Sequence, residues 1–282
     1  MNFRSFYYIY YAHRIKKASI LLKVYIIILL PITYFINKIY YPKICDLDIF
    51  SKKNKFLFTK DLNYLFQYFN SDKGDKFFNQ YNKPIKKDNN LSQGHSYHTY
   101  YEKFFKNKKN LNLDILELGA FKGNAAAAFY FYLKNSKIVS CDLFPDLFIY
   151  KSKKIKNIKL DTGSEVQLKN KIVNKDYKFD IIIEDAGHFL KDQIISLFCL
   201  FSTLKTKGIF IIEELDFPDT RKDMNPLNEK PSLKEILLNI KNGKIFNSKY
   251  ITEEQKKYFL ENFDQINIFK GRFNEIAFIT KK

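Results

Sequence analysis

Arginine is nearly absent from a strongly basic chain. Only Arg4, Arg14, Arg221 and Arg272 are found among 48 basic residues, set against 30 acidic residues and a net charge of +18. Proteins that read base edges and phosphates favour the bidentate guanidinium fork. The sequence shows no surface of aromatic and arginine residues for that purpose, so no nucleic-acid partner is expected. The lysines are spread among Asn, Ile, Tyr and Phe, as a bias toward A/T-rich codons produces; attraction to anionic lipid or to an acidic substrate is the other reading. Cysteine is scarce as well. Cys45, Cys141 and Cys199 are odd in number and have no C-x-x-C spacing, which argues against a disulfide framework and a zinc site. Cys141 and Cys199 lie in apolar runs and are expected in the core of a protein kept reduced. Internal repeats are absent. A hydrophobic fraction of 46% excludes a wholly disordered chain, and 282 residues suffice for one large core or one domain with an appendage.

The first 45 residues are basic and apolar. Ala18 to Ile36, ASILLKVYIIILLPITYFI, carries one charge, Lys23, and follows Arg14–Lys17 (RIKK). Its charge-free part, Val24 to Ile36, is shorter than the roughly 20 residues of a spanning helix and contains Pro31. No small-residue cleavage site follows, which argues against a removable signal peptide. The pattern predicts an interfacial or re-entrant helix held by Lys and Tyr at headgroup depth; a helix docked on the protein's own core is the alternative. The corresponding location is cytoplasmic, or peripheral on the inner face of the cell membrane.

Residues 46–110 predict a helical extension over the site, with helices at Lys60–Asn70 and Ser96–Phe105 and a polar loop from Ser71 to Asn90. From residue 111 onward strand and helix signals alternate. Strands are expected at Leu113–Leu118, Lys137–Cys141, Ile155–Leu160, Phe179–Glu184, Gly208–Glu213, Gln265–Phe269 and Glu275–Thr280. Helices are expected at Asn124–Leu133, Gly163–Lys175 and Leu190–Leu204. Such alternation predicts a doubly wound α/β sheet of about seven strands. The short Lys270-Gly271-Arg272 link makes one of them antiparallel. An insertion at 217–258 carries two capping boxes, Ser232-x-x-Glu235 and Thr252-x-x-Gln255, and Asn242-Gly243 closes the first of those helices.

Two places carry chemistry. In LDILELGAFKGNAAAAFYFY a strand ends near Glu117, Gly119 and Gly123 follow four apart, and an alanine-rich helix begins. Glycine lets the backbone approach a ligand, and the helix presents its first amides. Asp142, at the end of the next strand, stands where nucleotide-binding folds hold a ribose. In the second place, FDIIIEDAGH brings Asp185 and His188 to the end of the fourth strand, and GIFIIEELD brings Glu213 and Glu214 to the end of the fifth. Three carboxylates converging there repel one another unless a cation intervenes, and all-oxygen ligands suit Mg²⁺ or another hard divalent ion. His188 is the side chain poised to accept a proton near neutral pH.

The order E-x-G-x-x-x-G then D resembles the first motif and following acid of class I S-adenosylmethionine-dependent methyltransferases, over roughly Leu113 to Ile279. That resemblance implies a Rossmann-like core in which the loop Glu117 to Gly123 faces the amino-acid end of S-adenosylmethionine. Asp142 would hold its ribose, and Asp161 and Thr162 would lie near its adenine. Together with SDKG (Ser71 to Gly74) and HSYHTYY (His95 to Tyr101), the EDAGH and IEEL motifs are similar to the metal-dependent sugar O-methyltransferases of macrolide tailoring and their surface-glycan relatives. The narrower resemblance implies Mg²⁺ held by Asp185, Glu213 and Glu214, and His188 as general base. Tyr97 and Tyr101, with His95, would sit against the cofactor or lid the site, with Asp72 and Lys73 nearby. Gly187 departs from that family, which has serine there, and Glu214 stands where aspartate is common.

The implied activity is methyl transfer from S-adenosylmethionine to a sugar hydroxyl of a glycan or glycosylated metabolite. The implied partner is a sugar-containing acceptor, with an anionic membrane surface as a candidate second one; a homo-oligomer is compatible with the sequence. The rival from another class is a catalytically silent, membrane-peripheral binding protein on the same fold.

Overall fold

The computed structural model describes residues 1–16, 18–86 and 90–282. Lys17 of the basic run, and residues 87–89 of the loop expected from Ser71 to Asn90, lie outside the described residues.

Seven strands form one sheet: β1 (Asp114–Leu118), β2 (Lys137–Asp142), β3 (Ile155–Lys159), β4 (Phe179–Glu184), β5 (Leu204–Ile212), β6 (Phe263–Lys270) and β7 (Glu275–Lys281). Their spatial order is β3-β2-β1-β4-β5-β7-β6. β7 runs antiparallel to both neighbours, while the other pairs are parallel. The central strands β1 and β4 are buried along nearly all their length, as strands covered on both faces must be, and that is why they read as continuous apolar runs. The order reverses between β1 and β4, which opens a crevice at their carboxyl ends.

One face of the sheet carries α6 (Asn124–Tyr132) together with chain that precedes the sheet: α3 (Leu47–Lys53), α4 (Leu62–Tyr68) and α5 (His98–Phe105). All nine residues of α6 are buried, because the helix is sandwiched between sheet and extension and is apolar on every side. Leu62, Leu65, Phe66, Tyr101 and Phe105 share a single core with Phe129, Ile181, Ile211 and Phe278. The 46–110 segment therefore completes that layer. The opposite face carries α7 (Glu165–Lys171), α8 (Leu190–Leu200), α9 (Leu233–Lys241) and α10 (Glu253–Asn262) around a second core. Both capping boxes of the insertion form, with each N-cap hydroxyl and its partner bonding the other's backbone.

Several boundaries differ from expectation. The helix expected to Leu204 ends at Leu200, where Thr203 turns its hydroxyl back on the Leu200 carbonyl and β5 begins at once. The expected Gly163–Lys175 helix forms only over Glu165–Lys171, capped by Ser164. Within the polar stretch expected as a loop, Lys76–Phe78 pairs antiparallel with Leu91–Gln93. At the N-terminus, α1 (Phe3–Tyr7) continues through a π-helical turn at Tyr8–Ala12, and α2 (Ile20–Ile39) is one unbroken helix of 20 residues with Pro31 inside it. By length and composition α2 could cross a membrane.

Candidate functional site

A cavity of about 750 Å³ lies at the carboxyl ends of β1, β2 and β4, a volume suited to a nucleotide-sized ligand and part of a second molecule. Its floor is the turn after β1. Gly119 (φ +86°) is pressed against the β4 end so closely that a Cβ would sit 1.8 Å from the Asp185 carbonyl oxygen. Gly123 (φ +81°) opens α6, and a Cβ there would collide with the Phe148 ring at 2.4 Å. Both positions need glycine for two reasons, the left-handed backbone and the missing space.

Around this turn the acids are fixed by hydrogen bonds. Asp142 accepts from the Phe121 amide at 2.8 Å and from the Phe144 amide at 2.7 Å, so its carboxylate ties the glycine turn to the loop after β2. Burial raises its pKa, and those amides act the other way. Glu117 is buried and accepts from the Ser140 hydroxyl at 2.9 Å. Burial pushes it up to about 7, with Lys73 and Ser140 opposing. Glu117, Gly119, Asp142, Asp161 and Thr162 all line the cavity; Gly123 stands just behind it and sets the helix start. Tyr97 and Tyr101 do not line it. They are fully buried beneath it, where the Tyr97 ring stacks on His95 at 5.2 Å and the Tyr101 hydroxyl donates to Glu213.

At the far end of the cavity lie the residues of the second motif. The His188 Nε2 is 3.7 Å from Asp185 Oδ1 and 3.7 Å from Glu214 Oε2. Asp185, His188 and Glu214 can present one ligand atom each within 4.8 Å of one another. The cluster fits a hard divalent cation on its own chemistry: Glu214 Oε2 and His188 Nδ1 are buried without a hydrogen-bond partner among the described residues, and unsatisfied buried acceptors are costly. His188 (φ +55°) and Glu214 (φ +45°) also hold left-handed backbone that non-glycine residues rarely adopt, strain of about 1–3 kcal/mol each that persists where the surroundings enforce it. Burial pushes the His188 imidazole down to about 4 against the opposing pull of Asp185, leaving it neutral at neutral pH.

Glu213 points elsewhere. Its Oε2 lies 2.7 Å from the Lys73 Nζ, its Oε1 accepts from Tyr101, and it does not line the cavity. Lys73 reaches Asp185 as well. Burial works against the lysine's charge, but Asp185 and Glu213, then Asp72 and Glu214, outweigh it and hold the ammonium well above its ordinary pKa. The sequence placed Lys73 merely near the site; here it stands at the centre, between the two strand ends. The signal that could have found it was the lone lysine of SDKG, in a motif grouped with the acid-rich strand ends. His95 was likewise grouped with the tyrosines, yet its Nε2 is 3.3 Å from Glu214 Oε1. The Asn274 amide lies 3.2 Å from His95 Nδ1. As an amide nitrogen can only donate, Nδ1 accepts there, which leaves the ring proton on Nε2, the nitrogen that faces Glu214. Glu184, adjacent to Asp185, is wholly buried and pushed up to about 8 by burial and by Asp185, so at neutral pH it is largely a neutral acid inside the fold. The Gln193 amide closes the back of the cluster by donating to the Glu214 carbonyl at 3.1 Å.

No family model matches the chain, and no curated protein matches it. Among solved structures it is similar to the MycE methyltransferase from the mycinamycin biosynthetic pathway in complex with Mg, SAH and mycinamycin VI. The identity is 17% and the TM-score 0.59, over 79% of this chain and 54% of that one. A second structure of that enzyme, with Mg and SAH, matches at 18% identity and TM-score 0.58, over 79% and 55%. The chain spans about half the length of these proteins. At such identities the likeness is one of fold, and with the strand order above it leads to one conclusion: the chain has the class I methyltransferase fold.

Proposed function

We propose that this chain is an S-adenosylmethionine-dependent O-methyltransferase whose acceptor is a sugar hydroxyl. The observation that carries the reading is the close contact of the Gly119 turn with the β4 end. It puts a cofactor-sized cavity, Glu117 and Asp142 on one side and the Asp185–His188–Glu214 cluster on the other, within one crevice. Glu117 would meet the charged amino-acid end of the cofactor and Asp142 its ribose, with Asp161 and Thr162 toward the base. Asp185 and Glu214 would hold a divalent ion, which when bound would chelate neighbouring hydroxyls and lower their pKa. Glu213 could join them only by giving up Lys73, so the reading gives it the role of anchoring that lysine. Mg and mycinamycin VI, bound to the structurally similar MycE, support an ion beside the acceptor; the sugar is the narrower part of this reading.

In the reaction the acceptor oxygen attacks the methyl carbon, the carbon–sulfur bond breaks, and S-adenosylhomocysteine leaves. The hydroxyl proton passes to the neutral His188 imidazole. Holding donor methyl and acceptor oxygen in line within one cavity supplies much of the acceleration. Calorimetric titration with S-adenosylmethionine tests the reading directly. Micromolar binding is expected; no binding at millimolar cofactor would overturn it.

A further inference from the structure

The N-terminal helices sit where two different surfaces meet. The inner face of α2 is covered: Leu30 and Tyr34 pack with Phe6, Tyr10 and Tyr11, and Asn37 accepts from the Ile85 amide at 3.1 Å. Its outer face is an uncovered apolar stripe along the whole helix. Leu21 is 84% exposed, Ile28 66%, Phe35 63% and Ile39 81%, with Val24, Tyr25 and Ile32 between them. The stripe spans about 30 Å. Residues 1–45 contain seven basic residues and no acid. An apolar face of this length beside an acid-free basic segment matches a bilayer of anionic lipid: the stripe enters the acyl boundary and the lysines meet the headgroups. Because protein covers the inner face from Leu30 to Asn37, lipid cannot surround the helix. That cover favours a helix docked in the plane of a membrane over one that spans it.

The same segment is a wall of the cofactor cavity. Tyr8 and Ile9, from the π-helical turn, line it beside Phe144, and the Tyr8 and Phe144 rings are 5.0 Å apart. The Ser5 hydroxyl donates to Asp146 at 2.6 Å, and Tyr41, just beyond α2, donates to the Leu147 carbonyl. Both grip the loop whose Phe144 amide holds Asp142.

We propose that α1, the π-helical turn after it and α2 form a docking platform for an anionic bilayer that is also part of the cofactor site, so that lipid and S-adenosylmethionine each strengthen binding of the other. The coupling half rests on the methyltransferase reading; the docking half does not. Lipid fixes α2, α2 fixes the α1 turn, and that turn completes the wall over the cofactor. By linkage the gain is the same in both directions.

The test uses the full chain with vesicles of phosphatidylcholine alone or mixed with phosphatidylglycerol. Sedimentation with the anionic vesicles is expected, together with S-adenosylhomocysteine affinity about fivefold or more tighter when they are present. The triple variant Leu21→Glu, Ile28→Glu, Phe35→Glu should lose vesicle binding and keep its cofactor affinity in solution. Tyr8→Ala should keep vesicle binding, weaken cofactor affinity and abolish the gain. Failure of the native chain to sediment at low salt overturns the docking, as does sedimentation that the triple variant retains. Self-association that the glutamates abolish, without vesicle binding, assigns the face to a second copy and overturns it as well. Equal cofactor affinity with and without vesicles overturns the coupling. If S-adenosylhomocysteine binds under neither condition, the methyltransferase reading and the coupling both fall, and sedimentation alone decides the docking.

Discussion

The Lys73 ammonium lies 2.7 Å from the Glu213 carboxylate with both side chains fully buried. It also meets Asp185 at the end of the neighbouring strand, so one cation from the N-terminal extension ties two parallel strands to the layer above them. Removing one partner of such a pair leaves an uncompensated charge in the interior, at a cost of about 3–5 kcal/mol. Lys73→Met should lower stability by that order in denaturant unfolding. Lys73→Met with Glu213→Gln should recover much of the loss, because the second change removes one stranded charge. Equal stability of Lys73→Met and the native chain would show that the pair is not the tie described.

Glu117 makes cofactor affinity depend on pH. Burial holds its pKa near 7 in the free protein, so below that pH it is mainly protonated. For the fold alone, a folded pKa raised above the ordinary carboxylate value contributes stability at low pH that is lost as pH rises through about 7. Cofactor binding runs the opposite way, because a cationic amino group prefers the carboxylate and the proton must leave. Affinity should therefore rise by up to about tenfold per pH unit approaching 7, and flatten above it. Glu117→Gln should bind more weakly and lose the slope. A slope that survives in Glu117→Gln would assign the titration to another group.

Two glycines of the site should respond differently to a side chain. Gly119→Ala places a Cβ 1.8 Å from backbone in a left-handed conformation, which no rotamer relieves, so cofactor binding and more than about 2 kcal/mol of stability should be lost. At Gly187 a Cβ would meet the Phe189 ring at 3.1 Å and an Asp192 oxygen at 3.2 Å, both parts of side chains that can shift. Gly187→Ser should cost about 1 kcal/mol or less. Thermal unfolding with and without S-adenosylhomocysteine separates the two variants, and similar losses for both would contradict the geometry.

The sheet was legible in the sequence because its strands are buried on both faces. DILEL and FDIIIE admit little but a parallel interior strand, and Gly119 and Gly123 punctuate the first crossover. Strand ends were legible for the same reason, since acids following an apolar run mark where the sheet meets solvent or ligand. The identity of the partners was not. Lys73 and Asp185 are 112 residues apart, and nothing in SDKG shows that its lysine is driven inward by two acids far along the chain. The tyrosines of HSYHTYY were set against the cofactor, or over it as a lid, by the resemblance alone. In the fold α5 points Tyr101 into the core, where its hydroxyl is spent on Glu213. The reach of the N-terminus into the cavity was equally hidden, because Tyr8 and Ile9 belong to an apolar run in which every residue reads alike.

His188 faces two carboxylates at equal distance, so its role as base can be separated from a role as ligand by measuring metal and turnover independently. With Nε2 at 3.7 Å from both Asp185 and Glu214, a neutral imidazole could accept a proton from a hydroxyl held beside it. It could equally complete a ligand set. As general base it contributes a rate factor of about 10²–10⁴. His188→Ala should then lower kcat by that factor while leaving Mn²⁺ affinity, read by electron paramagnetic resonance, within about threefold of the native value. Asp185→Asn and Glu214→Gln should lose Mn²⁺ binding itself. A His188→Ala protein that loses the ion along with the two carboxylate variants would move His188 from base to ligand.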